Sequence, residues 1–260
     1  MNDFNTVKYR QQDSIALLTI NRPEAMNSFD DGLRSDLYSA MKQAADDSSV
    51  RVVVLTGEGR SFSAGADLNV GFDRDKTVEE ILQKSYRPIM ECINTMSKPV
   101  IAAVNGSAAG IGLSMALTCD LLVIAENAFM LSPFTTISLV PDGGLNWLLV
   151  NQLGYRRAFE LSVESQRIPA ARAVELGLAN RAVPADELLT AAMDWASALA
   201  ERAPLSIAAT KKAMRHAAAS DWASTFDLEA PLQSSLQTSA DCEEGIAAFL
   251  EKRKPQFAGE

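Results

Sequence analysis

Apolar residues follow two rhythms along this chain. In some short runs nearly every position is apolar: 15–20, 50–56 (VRVVVLT), 99–104 (PVIAAV) and 120–125 (DLLVIA). They read as strands covered on both faces. Residues 7–10 and 15–20 flank the polar turn 11–14 and predict a hairpin. Elsewhere the spacing is helical. Leu33, Leu37, Met41 and Ala44 share one face of a helix that Asn27 or Ser28 is placed to cap, with Asp30 and Asp31 in its first turn. Residues 46–49 stop it. Residues 70–77 lack an apolar period and predict a mobile loop, then a helix from about Val78 that Pro88 bends or breaks. A short strand falls at 129–131. Beyond Asp142 the pattern is mostly helical: 144–153, 156–162, 170–176, 187–200, 206–217, 222–237 and a last helix opening at Asp241. No Gly/Ser-rich linker interrupts it. A soft boundary at Ala203-Pro204 separates a strand-and-helix core, 1–203, from a helical region, 204–260.

Two stretches of small residues follow two of the strands: SFSAGADL at 61–68 and NGSAAGIGLS at 105–114. Glycine lets a ligand approach main-chain N–H groups closely. Two such loops, each after a strand, are able to aim two N–H donors at one oxygen, which is what an oxyanion hole needs. They also suit two plain tight turns, and spacing alone weighs these readings evenly.

Charge and composition narrow the function classes. The 260 residues carry a formal net charge of −9 with no long Lys/Arg run, so binding through nucleic-acid phosphates is disfavoured. The three cysteines, Cys92, Cys119 and Cys242, show no paired spacing and read as small buried residues of a reducing compartment. A single histidine, His216 in an alanine-rich stretch, argues against a zinc site or a histidine triad, and no metal is expected. The first residues lack an apolar signal core and no apolar run is long enough to span a bilayer, which predicts a cytoplasmic protein without membrane contact. GIG at 110–112 lacks the third glycine and the acidic ribose partner of a dinucleotide fingerprint.

The order SFSAGADL, KPVIAAVNGSAAGIG, SLVPDGG, with Asn21-Arg22-Pro23 before and the stretch 251–255 after, resembles the crotonase family of enoyl-CoA hydratases and isomerases over nearly the whole chain. The resemblance implies an α/β fold, a ββα spiral core with a C-terminal helical trimerisation region. It also implies an acyl-CoA substrate with no separate cofactor, and assembly as a homotrimer or dimer of trimers. Motif by motif, the oxyanion donors would be the backbone N–H groups of Ala66 and Ile111. The CoA arm would lie over Arg22, Ala25 and Met26 and the backbone of Ala64, Gly65, Asp67 and Leu68. Arg22, and Lys252, Arg253 and Lys254, are candidates for its phosphates. Gly110, Gly112, Ser114, Pro133, Phe134, Leu139 and Pro141 would border the acyl group.

The hydratases of the family use two glutamates. Their positions hold Ser114 and Phe134 here, which speaks against simple hydration. Asp142 stands where some isomerases carry an acid, including the 1,2-epoxyphenylacetyl-CoA isomerases. Phe134, Ile137, Leu139 and Val140 are expected to surround it with apolar groups that raise its pKa. An aspartate ahead of Gly-Gly and a helix is also a common N-cap, and residue chemistry alone favours that. Asp67 is expected to orient its loop, while Asp120 and Glu126 are expected at solvated or capping strand ends. Trp147, Trp195 and Trp222 are expected to pack. The expectation is an enoyl-CoA isomerase with Asp142 as acid/base. The alternatives are a 2-enoyl-CoA hydratase in which Asp142, alone or with Ser114, activates water, and a catalytically silent acyl-CoA-binding protein.

Overall fold

A computed structural model describes residues 4–70 and 76–260. The predicted hairpin forms from β1 (Val7–Gln12) and β2 (Ile15–Ile20), antiparallel with Val7 opposite Ile20. Helix α1 (Asp31–Asp46) follows, and its apolar stripe Leu33, Leu37, Ala40, Met41 and Ala44 is wholly buried. Its cap is Asp30, whose carboxylate accepts the Leu33 N–H at 2.7 Å, rather than Asn27 or Ser28. Those two sit inside the protein and hold a loop.

The chain then repeats a motif. Strand β3 (Val52–Gly57) joins a large sheet, β4 (Ser61–Ser63) a small one, and a helical segment follows: α2 (Val78–Ile81), one π-helical turn (Leu82–Tyr86) and α3 (Arg87–Thr95). Next come β5 (Val100–Val104), β6 (Ser107–Ala109) and α4 (Ile111–Thr118), then β7 (Leu121–Ala125), β8 (Phe129–Leu131), α5 (Leu145–Leu153) and α6 (Tyr155–Glu164). This is the expected ββα spiral. The two small-residue stretches open not as free loops but as the short strands β4 and β6. Strand β9 (Ile168–Pro169), helix α7 (Ala170–Glu175), β10 (Arg181–Val183) and helices α8 (Leu188–Ala200), α9 (Pro204–Ala217), α10 (Trp222–Gln237) and α11 (Ala240–Glu251) complete the chain. Strands β9 and β10 are too short to announce themselves as apolar runs.

The six-stranded sheet runs β1-β2-β3-β5-β7-β10, parallel except for the hairpin, and the four-stranded sheet runs β4-β6-β8-β9. Strands β3 and β5 are buried at every position, as a parallel sheet covered on both faces requires. Helix α8 crosses β2, β3, β5 and β7, and its buried face of Ala192, Ala196 and Ala200 allows close approach. The expected mobile loop falls largely on 71–75, outside the described residues. The helix does resume at Val78. Pro88 distorts it as expected: it has no N–H to give, and just before it Arg87 N–H reaches back five residues to Leu82 O.

Helix α9 is pinned to the core by Asp120. Its carboxylate receives Lys211 Nζ at 2.7 Å and Arg215 Nη2 at 2.8 Å, plus the Val100 N–H at 2.9 Å. The Lys211 ammonium also donates to the carbonyls of Ile93 and Lys98, so its three protons are all used. Asp120 is therefore not a solvated strand end but the centre of a buried ionic cluster.

Candidate active site

The small strands β4 and β6 pair in parallel, and each leads into a glycine with positive φ: Gly65 at 99° and Gly110 at 55°. A Cβ on Gly65 would lie 2.9 Å from Ala109 O and 3.5 Å from Gly110 Cα, so the two turns touch backbone to backbone. Only residues without side chains fit there. The residues that follow are Ala66 and Ile111. Gly65 O accepts the Phe29 N–H at 2.7 Å. In a trans peptide the N–H points opposite to the carbonyl, so the Ala66 N–H turns away from Phe29. The same holds at α4: Gly110 O accepts the N–H groups of Leu113 and Ser114, and the Ile111 N–H faces out of the helix start. Gly112 continues the close packing, since a Cβ there would lie 2.7 Å from Ser63 Cβ.

A buried network holds the first of these turns. Asn27 accepts the Arg22 N–H at 2.9 Å and donates to the carbonyls of Glu58 and Ser61 at 2.9 and 2.6 Å. The Ala64 N–H donates to Met26 O at 3.0 Å, which lays 64–68 beside Ala25 and Met26. Arg22 is one candidate for the phosphates of the CoA arm. Instead its guanidinium bridges Asp30 at 3.0 Å and Asp67 at 3.1 Å and donates to Ser28 O. Asp67 thus orients its loop, as expected. Burial alone would raise its pKa, but Arg22, the Asn69 N–H and Ser28 outweigh that and lower it. Leu68 is 61% exposed. At the C-terminus Arg253 is forked onto Glu244 at 2.6 and 2.7 Å, and Lys254 pairs with Glu201 at 2.6 Å. Neither offers a bare charge to a phosphate.

Asp142 is not a helix cap. Helix α5 starts three residues later, its N-cap is Gly144, and no side chain caps it. The Asp142 Oδ1 atom is buried without a hydrogen-bond partner, and burial pushes the carboxyl up to about 6. Of the apolar residues expected around it, Ile137, Leu139 and Val140 are 49%, 44% and 70% exposed. Phe134 is buried, but beside Gly110. The neighbours of the Asp142-Gly143 turn are Met90, Ser114 and Ile111: a Cβ on Gly143 would meet their side chains at 2.9, 3.0 and 3.1 Å. Ser114 is fully buried and donates to the Asp142 carbonyl at 2.9 Å, so it struts this turn rather than facing a water. Pro141 is buried and Pro133 half-buried. The side chain of Ile111 therefore packs against the Asp142-Gly143 turn, while its N–H opens helix α4.

A cleft of about 530 Å³ opens beside the Asp142-Gly143 turn, lined by Asp142, Gly143, Tyr86, Met90, Trp147 and Leu148, with Gln83, Arg87 and Glu91 also on its walls. Trp147 thus lines a cavity instead of only packing. Tyr86 and its support, Arg34, escaped the sequence reading. Arg34 Nη1 donates to the Tyr86 hydroxyl at 3.3 Å and its guanidinium stacks on the ring, 5.1 Å from the centroid. Phe29 packs edge-on to Tyr86 with centroids 5.6 Å apart. Burial raises the phenol pKa, Arg34 opposes, and the charges of Asp142 and Asp30 raise it further. The signal available in the sequence was Pro88: a distorted helical turn often marks a functional site.

A second cavity of about 500 Å³ lies among α9, α10, α11 and the tail, lined by Leu236, Ile246, Phe249 and Phe257. It is remote in sequence from every residue above. Among the described residues no group of three or more His, Cys, Asp or Glu is placed to hold a metal, and no helix is long and apolar enough to cross a membrane.

Comparison with known proteins agrees with this geometry. The family pattern described as enoyl-CoA hydratase/isomerase matches residues 10–260. A probable enoyl-CoA hydratase of Rhodobacter capsulatus is 37% identical over 98% of this chain and 99% of its own length. Two Escherichia coli proteins are each 35% identical: a 2,3-dehydroadipyl-CoA hydratase (96% of this chain, 97% of that one) and a 1,2-epoxyphenylacetyl-CoA isomerase (94% and 95%). The crystal structure of an enoyl-CoA hydratase from Bacillus anthracis superposes with a TM-score of 0.94 at 31% identity, covering 98% of this chain and 100% of that one. With its spiral of paired strands, its touching glycine turns and these relatives, the chain belongs to the enoyl-CoA hydratase/isomerase family of enzymes.

Proposed function

We propose that this enzyme shifts a double bond, or carries out a related isomerisation, in an acyl-CoA thioester. The Asp142 carboxylate takes a proton from C-2 of a 3-enoyl thioester. The electron pair moves into the thioester carbonyl, and the resulting enolate oxygen rests on the N–H groups of Ala66 and Ile111. The protonated Asp142 then returns the proton at C-4. No cofactor beyond the coenzyme A of the substrate takes part. The observation that carries this reading is a single carboxyl group with a buried, unpaired oxygen and a pKa near 6, on the turn against which the side chain of Ile111 packs. A proton carrier works best when its pKa lies near the operating pH.

Hydration is the second reading, supported by the hydratase names of several relatives. Against it stand Ser114, tied to a carbonyl, and Phe134, which carries no proton. The test is to measure 3-enoyl-CoA isomerisation and 2-enoyl-CoA hydration with wild type and Asp142→Asn. Isomerisation is expected to be the faster reaction, and to fall at least about 10²-fold in the variant. Rapid hydration without isomerisation favours the second reading. Acyl-CoA binding with no turnover of any thioester favours a silent binding protein.

We also propose that residues 204–260 form the contact of a trimer or dimer of trimers. Helix α10 buries none of its residues in the single chain, and Met214, Trp222, Phe249 and Leu250 are 69–82% exposed. Apolar surface of this extent is characteristic of an interface.

A further inference from the structure

Of the polar groups of the cleft that the mechanism leaves unused, one is a buried hydroxyl whose proton has no acceptor among the described residues. Tyr86 is 3% exposed, ends the π-helical turn and shares the cleft with Asp142. Its hydroxyl oxygen accepts from Arg34, so its proton points elsewhere, and no acceptor among the described residues takes it. Arg34 is itself largely buried, with a 10% exposed side chain, and is fixed by Phe29 O as well as by Asp31. Burying a guanidinium to aim one phenol is costly where a phenylalanine would fill the same space. A buried donor left without an acceptor also costs free energy, which an oxygen-bearing ligand would recover.

We propose that Tyr86, held by Arg34, is a specificity-determining residue. Its O–H donates a hydrogen bond to an oxygen atom on the acyl group, so the cleft selects acyl thioesters bearing a ring epoxide, hydroxyl or oxo group over plain hydrocarbon chains. Tyr86 and Asp142 line the same cleft, so one group holds the acyl oxygen while the other moves the proton. Met90, Trp147 and Leu148 supply the apolar bed for the remainder of the group. A site that hydrogen-bonds a ligand oxygen discriminates more sharply than an apolar pocket that merely fits one.

This inference rests on the cleft at Asp142 being the acyl site, and it deepens the proposed isomerisation without depending on its chemistry. The test is therefore binding. Dissociation constants of phenylacetyl-CoA and of its 2-, 3- and 4-hydroxy ring isomers are measured by calorimetry for wild type, Tyr86→Phe, Arg34→Met and Asp142→Asn, with melting curves alongside. At least one hydroxy isomer is expected to bind wild type about tenfold tighter than phenylacetyl-CoA. Tyr86→Phe should abolish that preference and leave phenylacetyl-CoA within about twofold. Arg34→Met should weaken the preference and Asp142→Asn keep it. Equal binding of all four thioesters by wild type, or a preference that survives Tyr86→Phe, overturns the inference. If Asp142→Asn keeps its turnover as well as the preference, the isomerase mechanism falls while the role of Tyr86 stands.

Discussion

Replacing Asp142 with asparagine should make the protein more stable and less active, and both effects should depend on pH. The buried carboxyl moves from its ordinary value of 3.8 to about 6 because burial penalises its charged form. Such a displacement corresponds to about 3 kcal/mol of cost to the folded state once the group is ionised. The side chain is only part-buried, so solvent screening reduces this to roughly 1–2 kcal/mol. The direction follows from proton counts. Between about pH 4 and 6 the folded protein binds more protons at this site than the unfolded chain does. Stability therefore falls as pH rises through that window and changes no further above it. Asp142→Asn removes the charge. At pH 7.5 it should gain roughly 1–2 kcal/mol, or about 2–8 °C in Tm for a chain of this size, and the gain should fade towards pH 4. Wild-type isomerisation should rise with pH through about 6 and then level off, as expected of a base that must be ionised. The assays are urea unfolding at pH 4.5 and 7.5 and kcat/KM across the same range. A variant less stable than wild type at pH 7.5, or one that keeps its turnover, would refute a strained, working carboxylate.

Three further outcomes follow from named contacts. Asp120→Ala leaves the buried Lys211 ammonium without its carboxylate and should cost about 3–5 kcal/mol in urea unfolding, with detachment of α9 seen as faster amide exchange there. Gly110→Ala forces a side chain onto a positive-φ residue in contact with Gly65. It should cost about 1–2 kcal/mol of stability but lower turnover about 10²-fold or more, because the Ile111 N–H moves with it; equal small losses in both would count against the donor role. Light scattering of wild type should give the mass of a trimer or hexamer, and Phe249→Asp on the exposed face of α11 should shift it towards monomer; a wild-type monomer removes the assembly proposal.

Much of this enzyme was legible one residue at a time. Strands β2, β3, β5 and β7 are apolar runs because a parallel sheet buried on both faces tolerates little else, and α1 shows its face through an unbroken helical period. The two small-residue stretches declared that backbone would approach backbone, and Gly65 meets Gly110 at that place. The absence of carboxylates at Ser114 and Phe134 was likewise plain from the sequence. What needed the folded chain was the partner of each polar group. Arg22 looked like a free cation and is spent between Asp30 and Asp67. Asp120 looked like a solvated or capping strand end and is the hub of a buried ion cluster that also takes the Val100 N–H. Residue chemistry alone favoured Asp142 as a cap, a common role for an aspartate before Gly-Gly, while the family resemblance implied an acid/base; α5 starts at Leu145 and leaves its carboxyl behind with an unpaired oxygen. The side chains packed on the Asp142-Gly143 turn come from Met90, Ser114 and Ile111, and Tyr86 joins the same cleft from a helix more than fifty residues away. Local sequence encodes periodicity and backbone freedom, because these depend on neighbours along the chain. The protonation of a carboxyl and the pairing of a charge depend on neighbours in space, which only the tertiary structure assembles.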